Sequence, residues 1–106
     1  MIRNLWEETI DILKDHSLTW EDVEYVRLGD YLVPKDNFEE VARNTNYDAG
    51  YGSAEIFLDL KIIGWDDWWL ERAEYNGAER WELKTFPFIP NEFQKIKSLK
   101  VLEEDE

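Results

Sequence analysis

Apolar side chains recur along this chain with two different periods, and the change from one to the other divides it into elements. Leu5, Trp6, Ile10 and Leu13 repeat at helical spacing, and Asn4 with Glu7 forms a capping pair at the start of that run. The pattern predicts a first helix with Glu7, Glu8, Asp11 and Asp15 facing water. Thr19 with Asp22 predicts a second cap and a single turn. Tyr25 to Leu28 and Tyr31 to Val33 read as two short strands around Gly29-Asp30, in a register that sets Val26 opposite Val33 and Leu28 opposite Tyr31. Those four would share one apolar side. Pro34 ends the strand, and Asp36 with Glu39 predicts a short capped helix that turns Phe38, Val41 and Ala42 inward. Residues 44–53 form the main loop.

From Ala54 the period becomes two. Ile56, Leu58, Leu60 and Ile62 alternate with Phe57, Asp59, Lys61 and Ile63. Gly64 to Asp67 turns the chain, and Asn76-Gly77 joins Trp68–Tyr75 to Ala78–Phe86 as a hairpin. Pro87 and Pro90 end the sheet, and residues 91–102 predict a short helix anchored by Phe93 and Ile96. The final residues, 103–106, read as a frayed acidic tail. The expected fold is a single α+β domain of two layers. It has an antiparallel meander over Ala54–Phe86 and short helices on one face.

A two-residue turn at Asn76-Gly77 also assigns the hairpin faces. Trp68, Leu70, Arg72 and Glu74 lie opposite Thr85, Leu83, Trp81 and Glu79, and the middle of this set is core. Arg72 is expected to stack near Trp81 at the rim. Trp69, Glu71, Ala73 and Tyr75 lie opposite Lys84, Glu82, Arg80 and Ala78. Glu71 then directly opposes Glu82, a destabilising like-charge pair that Arg80 and Lys84 offset as diagonal neighbours. Trp65, Asp66 and Asp67 gather with Trp69 at the far end of the hairpin.

Charge sharpens the picture. The chain has 106 residues, with 25 Asp and Glu against 12 Lys and Arg, a formal net charge of −13. Such a surface repels nucleic acid and anionic lipid and suits a basic partner. Without cysteine there is no disulfide framework, zinc-thiolate site or cysteine nucleophile. The N-terminal run lacks the apolar core of a signal peptide and no apolar run approaches a membrane span, so a cytoplasmic protein is expected.

Catalytic chemistry has little to stand on. His16, the one histidine, follows the first helix with no second base or ligand near it in sequence. Glu71 and Glu82 resemble a carboxylate pair, but a single small sheet offers no cleft around them. Neither a phosphate-binding loop nor a dinucleotide fingerprint is present, and the Asp- and Gly-rich loop lacks calcium-ligand spacing. No enzyme activity, cofactor or metal is expected. Trp65, Trp68 and Trp69 would suit sugar stacking, against which the missing secretion signal counts.

The segment NYDAGYGSAEIFLDLKIIGWDDWWLERAEYNGAERWELKTFP resembles small proteins encoded by phages and mobile elements of Gram-positive bacteria. The shared pattern lies in Tyr47, Asp48, Gly50, Tyr51 and Gly52, then Asp67 to Gly77, then Glu79 to Glu82. In size and acidity the chain also resembles the anti-CRISPR inhibitors, several of which occupy a nuclease's basic channel in place of nucleic acid. What this resemblance implies is a non-enzymatic inhibitor that blocks DNA engagement by a type II CRISPR effector. Its partner-binding residues would be Asp66, Asp67, Trp69, Glu71, Glu74, Glu79 and Glu82. The alternative is an antitoxin-like or host-modulating adaptor for another basic partner.

Overall fold

The computed structural model describes residues 2–50 and 52–101. Its elements, in chain order, are β1 (Ile2–Asn4), α1 (Leu5–Asp15), a 3-10 turn (Trp20–Asp22), β2 (Val23–Leu28) and β3 (Tyr31–Val33). After these come α2 (Lys35–Arg43), β4 (Asn46–Asp48), β5 (Leu60–Gly64), β6 (Trp68–Tyr75) and β7 (Ala78–Thr85). Strands β3-β2-β5-β6-β7 make one antiparallel sheet, and β1 pairs with β4 in a second, two-stranded one. The fold is α+β, with both helices on one face of the main sheet.

Local signals account for much of this. The Asn4 side chain accepts the Glu7 N–H at 3.0 Å, which caps α1. The Asp22 carboxylate accepts the Thr19 N–H at 2.8 Å and closes the single turn. Asn76 and Gly77 both take positive φ, 53° and 87°, as a two-residue primed turn requires. The β6–β7 pairing then runs from Trp68 opposite Thr85 to Tyr75 opposite Ala78, in the register expected.

Packing decides the rest. Val23, Val26, Ile62, Leu70 and Trp81 from the sheet meet Leu5, Trp6 and Leu13 of α1 and Phe38 and Ala42 of α2, all buried. At about 1.5–3 kcal/mol for each large side chain, this is the main driving force of the fold. Trp20 stacks on Phe38 and Trp6 meets both edge-on or tilted, with ring centroids 5.0–6.3 Å apart, and the cluster joins the two helices to the 3-10 turn. Lys35 fastens α2 to the sheet by donating to the Trp20 and Val23 carbonyls at 3.0 and 2.7 Å.

Several expectations are corrected. The β2–β3 hairpin joins the main sheet, with Val26 opposite Ile62. Its own pairing is as expected, but Tyr31 is exposed because β3 is an edge strand. The strand expected from Ala54 starts at Leu60: β2 ends opposite that residue, and the amides of Glu55 and Ile56 are bonded to Glu79 instead of a ladder. The expected loop contains β4, which pairs with β1. No side chain caps α2, whose N-cap is Pro34, and Val41 is exposed. No helix forms over 91–101, where Phe93 and Ile96 are both exposed and neither joins the core. The tail 103–106 lies outside the described residues. Among the described residues, no helix is long and apolar enough to cross a membrane.

Candidate functional site

The hairpin face was the expected site, and pairing across the whole sheet changes its electrostatics. Successive registers place Leu32, Arg27, Lys61, Glu71 and Glu82 in one row across all five strands. Beside it runs a row of Tyr25, Ile63, Trp69 and Lys84. The carboxylates are engaged where they stand. Glu82 meets Arg80 at 2.8 Å and Lys84 at 3.5 Å, while Glu71 accepts from the Trp69 indole at 2.8 Å and has Lys61 opposite. Trp69 is half-buried, packed edge-on against Phe86. This open face is a mixed-charge surface.

The other expected site residues disperse. Asp66 and Asp67 are exposed at the β5–β6 connection beside Trp65. Glu74 is at the opposite end of β6, roughly 20 Å away by strand rise, where it accepts the Gly77 N–H at 2.8 Å. Glu79 is only 2% exposed and presents nothing to a partner. Trp68 is buried as well, which removes the three-tryptophan sugar platform.

Glu79 belongs instead to a buried polar network. Arg72, expected at the rim, is an interior guanidinium that Glu8 approaches at 3.4 Å and Glu79 at 3.2 Å. It also donates to the Tyr47 hydroxyl at 2.9 Å. The rings of Tyr47 and Trp81 lie 5.3 and 4.8 Å from it, so the cation–π contact is made in the core. Glu8, expected in water, accepts from the Tyr47 hydroxyl and from the Trp81 N–H at 2.9 Å. Burial, and after it the bond to Glu8, push the Tyr47 hydroxyl up to about 12, with Arg72 pulling the other way.

The network ties distant segments together. Glu79 accepts the amides of Glu55 and Ile56 at 2.7 and 3.1 Å. Thr9 accepts from the Trp81 indole at 2.8 Å. Strand β7 is a sheet edge, and two of its N–H groups go to Ala49 O and to Glu8. Covering an edge in this way blocks pairing with another chain. Every ionised group here is sequestered, so the network's role is structural.

A regular line of unpaired acidity is in the helical layer. Glu7, Asp11 and Asp15 recur every four residues on α1, and all are exposed. Four residues rise about 6 Å, so the carboxylates form a line on one face. None of the three is in an ion pair among the described residues. Like charges at this spacing cost a helix about 0.2–0.5 kcal/mol per pair, and Asp15 also opposes the dipole at the C-terminal end. His16, at the C-cap, is exposed. Among the described residues, no group of His, Cys, Asp or Glu is placed to hold a metal.

Comparison with family models, with curated proteins and with solved structures finds no match for this chain.

Proposed function

We propose that this chain is a non-enzymatic inhibitor that meets a basic protein surface through the acidic line of α1. In its most concrete form it is an anti-CRISPR protein that keeps DNA out of a type II effector's channel. What supports this reading is the line Glu7, Asp11 and Asp15: three regularly spaced, exposed carboxylates, none in an ion pair among the described residues, whose mutual repulsion the helix tolerates. A departure from local preference, here also Asp15 against the dipole at the C-terminal end, is the kind of feature found at functional surfaces. The channel of a guide-RNA nuclease is lined with Lys and Arg that meet nucleic-acid backbone, and a rigid line of carboxylates complements such a lining. On this reading the sheet face, where Glu82 is paired with Arg80 and Lys84 and Glu71 accepts from the Trp69 indole, is the lesser candidate.

The test adds purified protein to a panel of guide-loaded type II nucleases and scores target-DNA binding and cleavage. The expected result is loss of DNA binding by at least one nuclease, with cleavage lost in parallel. Full activity across a broad panel rejects the anti-CRISPR form. Capture of a different basic protein by the same α1 surface would reassign the target to the adaptor class.

A further inference from the structure

Beyond Phe86, which packs on Trp69, the segment 87–101 joins neither layer of the fold. It leaves β7 without forming a helix or strand, and Phe88, Ile89, Phe93, Leu99 and Val101 are each at least 85% exposed. The same segment is the basic part of an acidic chain: Lys95, Lys97 and Lys100 against Glu92, in a protein of net charge −13. Its sequence is still that of a helix. Asn91 with Gln94 has capping-box spacing, and Phe93, Ile96 and Leu99 fall on one side. A helix this short is marginal alone and forms when its apolar side is covered.

A complementary surface exists on the body. Between α2 and the β2–β3 hairpin lies an open groove of about 360 Å³, lined by Val33, Phe38, Val41, Ile56, Phe57 and Leu60. That volume falls within the range of about 300–1,000 Å³ typical of binding clefts. Val41 and Phe57 are 58% and 70% exposed at its mouth. Glu55 is the one carboxylate that lines it. The groove is therefore apolar with one carboxylate in its lining, which matches a segment that is apolar on one side and carries lysines.

We infer that this groove takes residues 91–101 of a second copy of the chain, seated as a short amphipathic helix. Phe93 and Ile96 enter the apolar floor, and a lysine of the segment meets Glu55. The segment departs from β7, while the groove adjoins β3; these are opposite edges of the sheet, roughly 19 Å apart at about 4.8 Å per strand. Exchange about a two-fold axis fills both grooves with both segments and leaves no free end, so assembly stops at the dimer. The acidic line of α1 takes no part in it.

The test is sedimentation equilibrium of the full chain across a concentration series, with two double variants. Phe93→Glu with Ile96→Glu alters the segment, and Val41→Lys with Phe57→Lys alters the groove. All four side chains are exposed, so both variants keep the monomer fold, which circular dichroism verifies. The parent is expected to be a dimer that dissociates in the micromolar range, as suits a small interface. Either variant should weaken it about tenfold or more. An equimolar mixture of the two should recover association, because one holds an intact groove and the other an intact segment. A parent that stays monomeric overturns the inference, including the case where the segment variant lowers the melting temperature because the segment packs on its own body. Dimerisation that survives both variants, or a mixture that fails to associate, also overturns it.

Discussion

Replacing Arg72 by Met tests the interior most severely, because one guanidinium serves three segments. The substitution keeps an apolar stem between the Tyr47 and Trp81 rings and removes the bonds to Glu8, Glu79 and Tyr47. Glu8 would retain the Tyr47 hydroxyl and the Trp81 amide, and Glu79 the amides of Glu55 and Ile56. Neither would keep a cation. Removing one partner of a buried ion pair costs about 3–5 kcal/mol, since the other charge stays buried and uncompensated. Against a typical domain stability of about 5–15 kcal/mol, that is a large fraction of the whole. Urea unfolding followed by tryptophan fluorescence measures it, and the midpoint should fall with little change in slope. Glu79→Gln should cost less than Arg72→Met, because it leaves the Arg72–Glu8 pair in place. A loss below about 1 kcal/mol for Arg72→Met would refute the reasoning, since that is the scale of an exposed pair.

Two further predictions concern single positions. A Cβ built on Gly64 would lie 1.9 Å from the Trp68 ring, so Gly64→Ala should destabilise by about 1–3 kcal/mol or more; Gly50→Ala, with nothing within 4 Å, should not, and equal melting temperatures for the two would contradict the close packing. Tyr47 keeps its proton to about pH 12 when folded and releases it near the ordinary value of about 10 when unfolded. The folded state therefore binds more protons over that interval, and stability should fall as pH rises from about 10 towards 12. Tyr47→Phe should flatten that alkaline limb, and an unchanged pH dependence would show that the hydroxyl is not held by Glu8 and burial.

How much of this was legible depends on the distance between partners. The α1 stripe, the Asn76-Gly77 register and the division of Trp68 and Trp81 from Trp69 follow from spacing within an element or across one turn. Glu8 and Glu79 do not. Glu8 is held inside by Arg72, 64 residues away in the chain, and Glu79, though on the hairpin face of Arg72, is enclosed by the amides of Glu55 and Ile56 more than twenty residues before it. A helix's own periodicity carries no trace of a partner that remote. The place of β2 beside β5 and the β1–β4 pair are hidden for the same reason, because both join segments separated by long stretches of chain. Part of the mixed charge of the sheet face follows from that missed pairing: Lys61 reaches Glu71 through the β5–β6 pairing of the expected meander, but Arg27 joins the row only when β2 is set beside β5. The helix expected near the C-terminus has the right internal pattern and lacks a surface.

The most direct measurement compares two charge reversals in binding to a nuclease that the parent inhibits. One variant carries Glu7→Lys, Asp11→Lys and Asp15→Lys on α1, and the other carries Glu71→Lys and Glu82→Lys on the sheet face. All five positions lie outside the core, and circular dichroism would establish that both variants fold. Glu8, the buried neighbour on α1, is left untouched. The acidic line predicts that the α1 reversal abolishes binding, that the sheet-face reversal changes it little, and that parent binding weakens as salt rises past the range where exposed charges are screened within about 10 Å. Binding that survives the α1 reversal and is lost on the sheet-face reversal would contradict the account and return the contact to the hairpin.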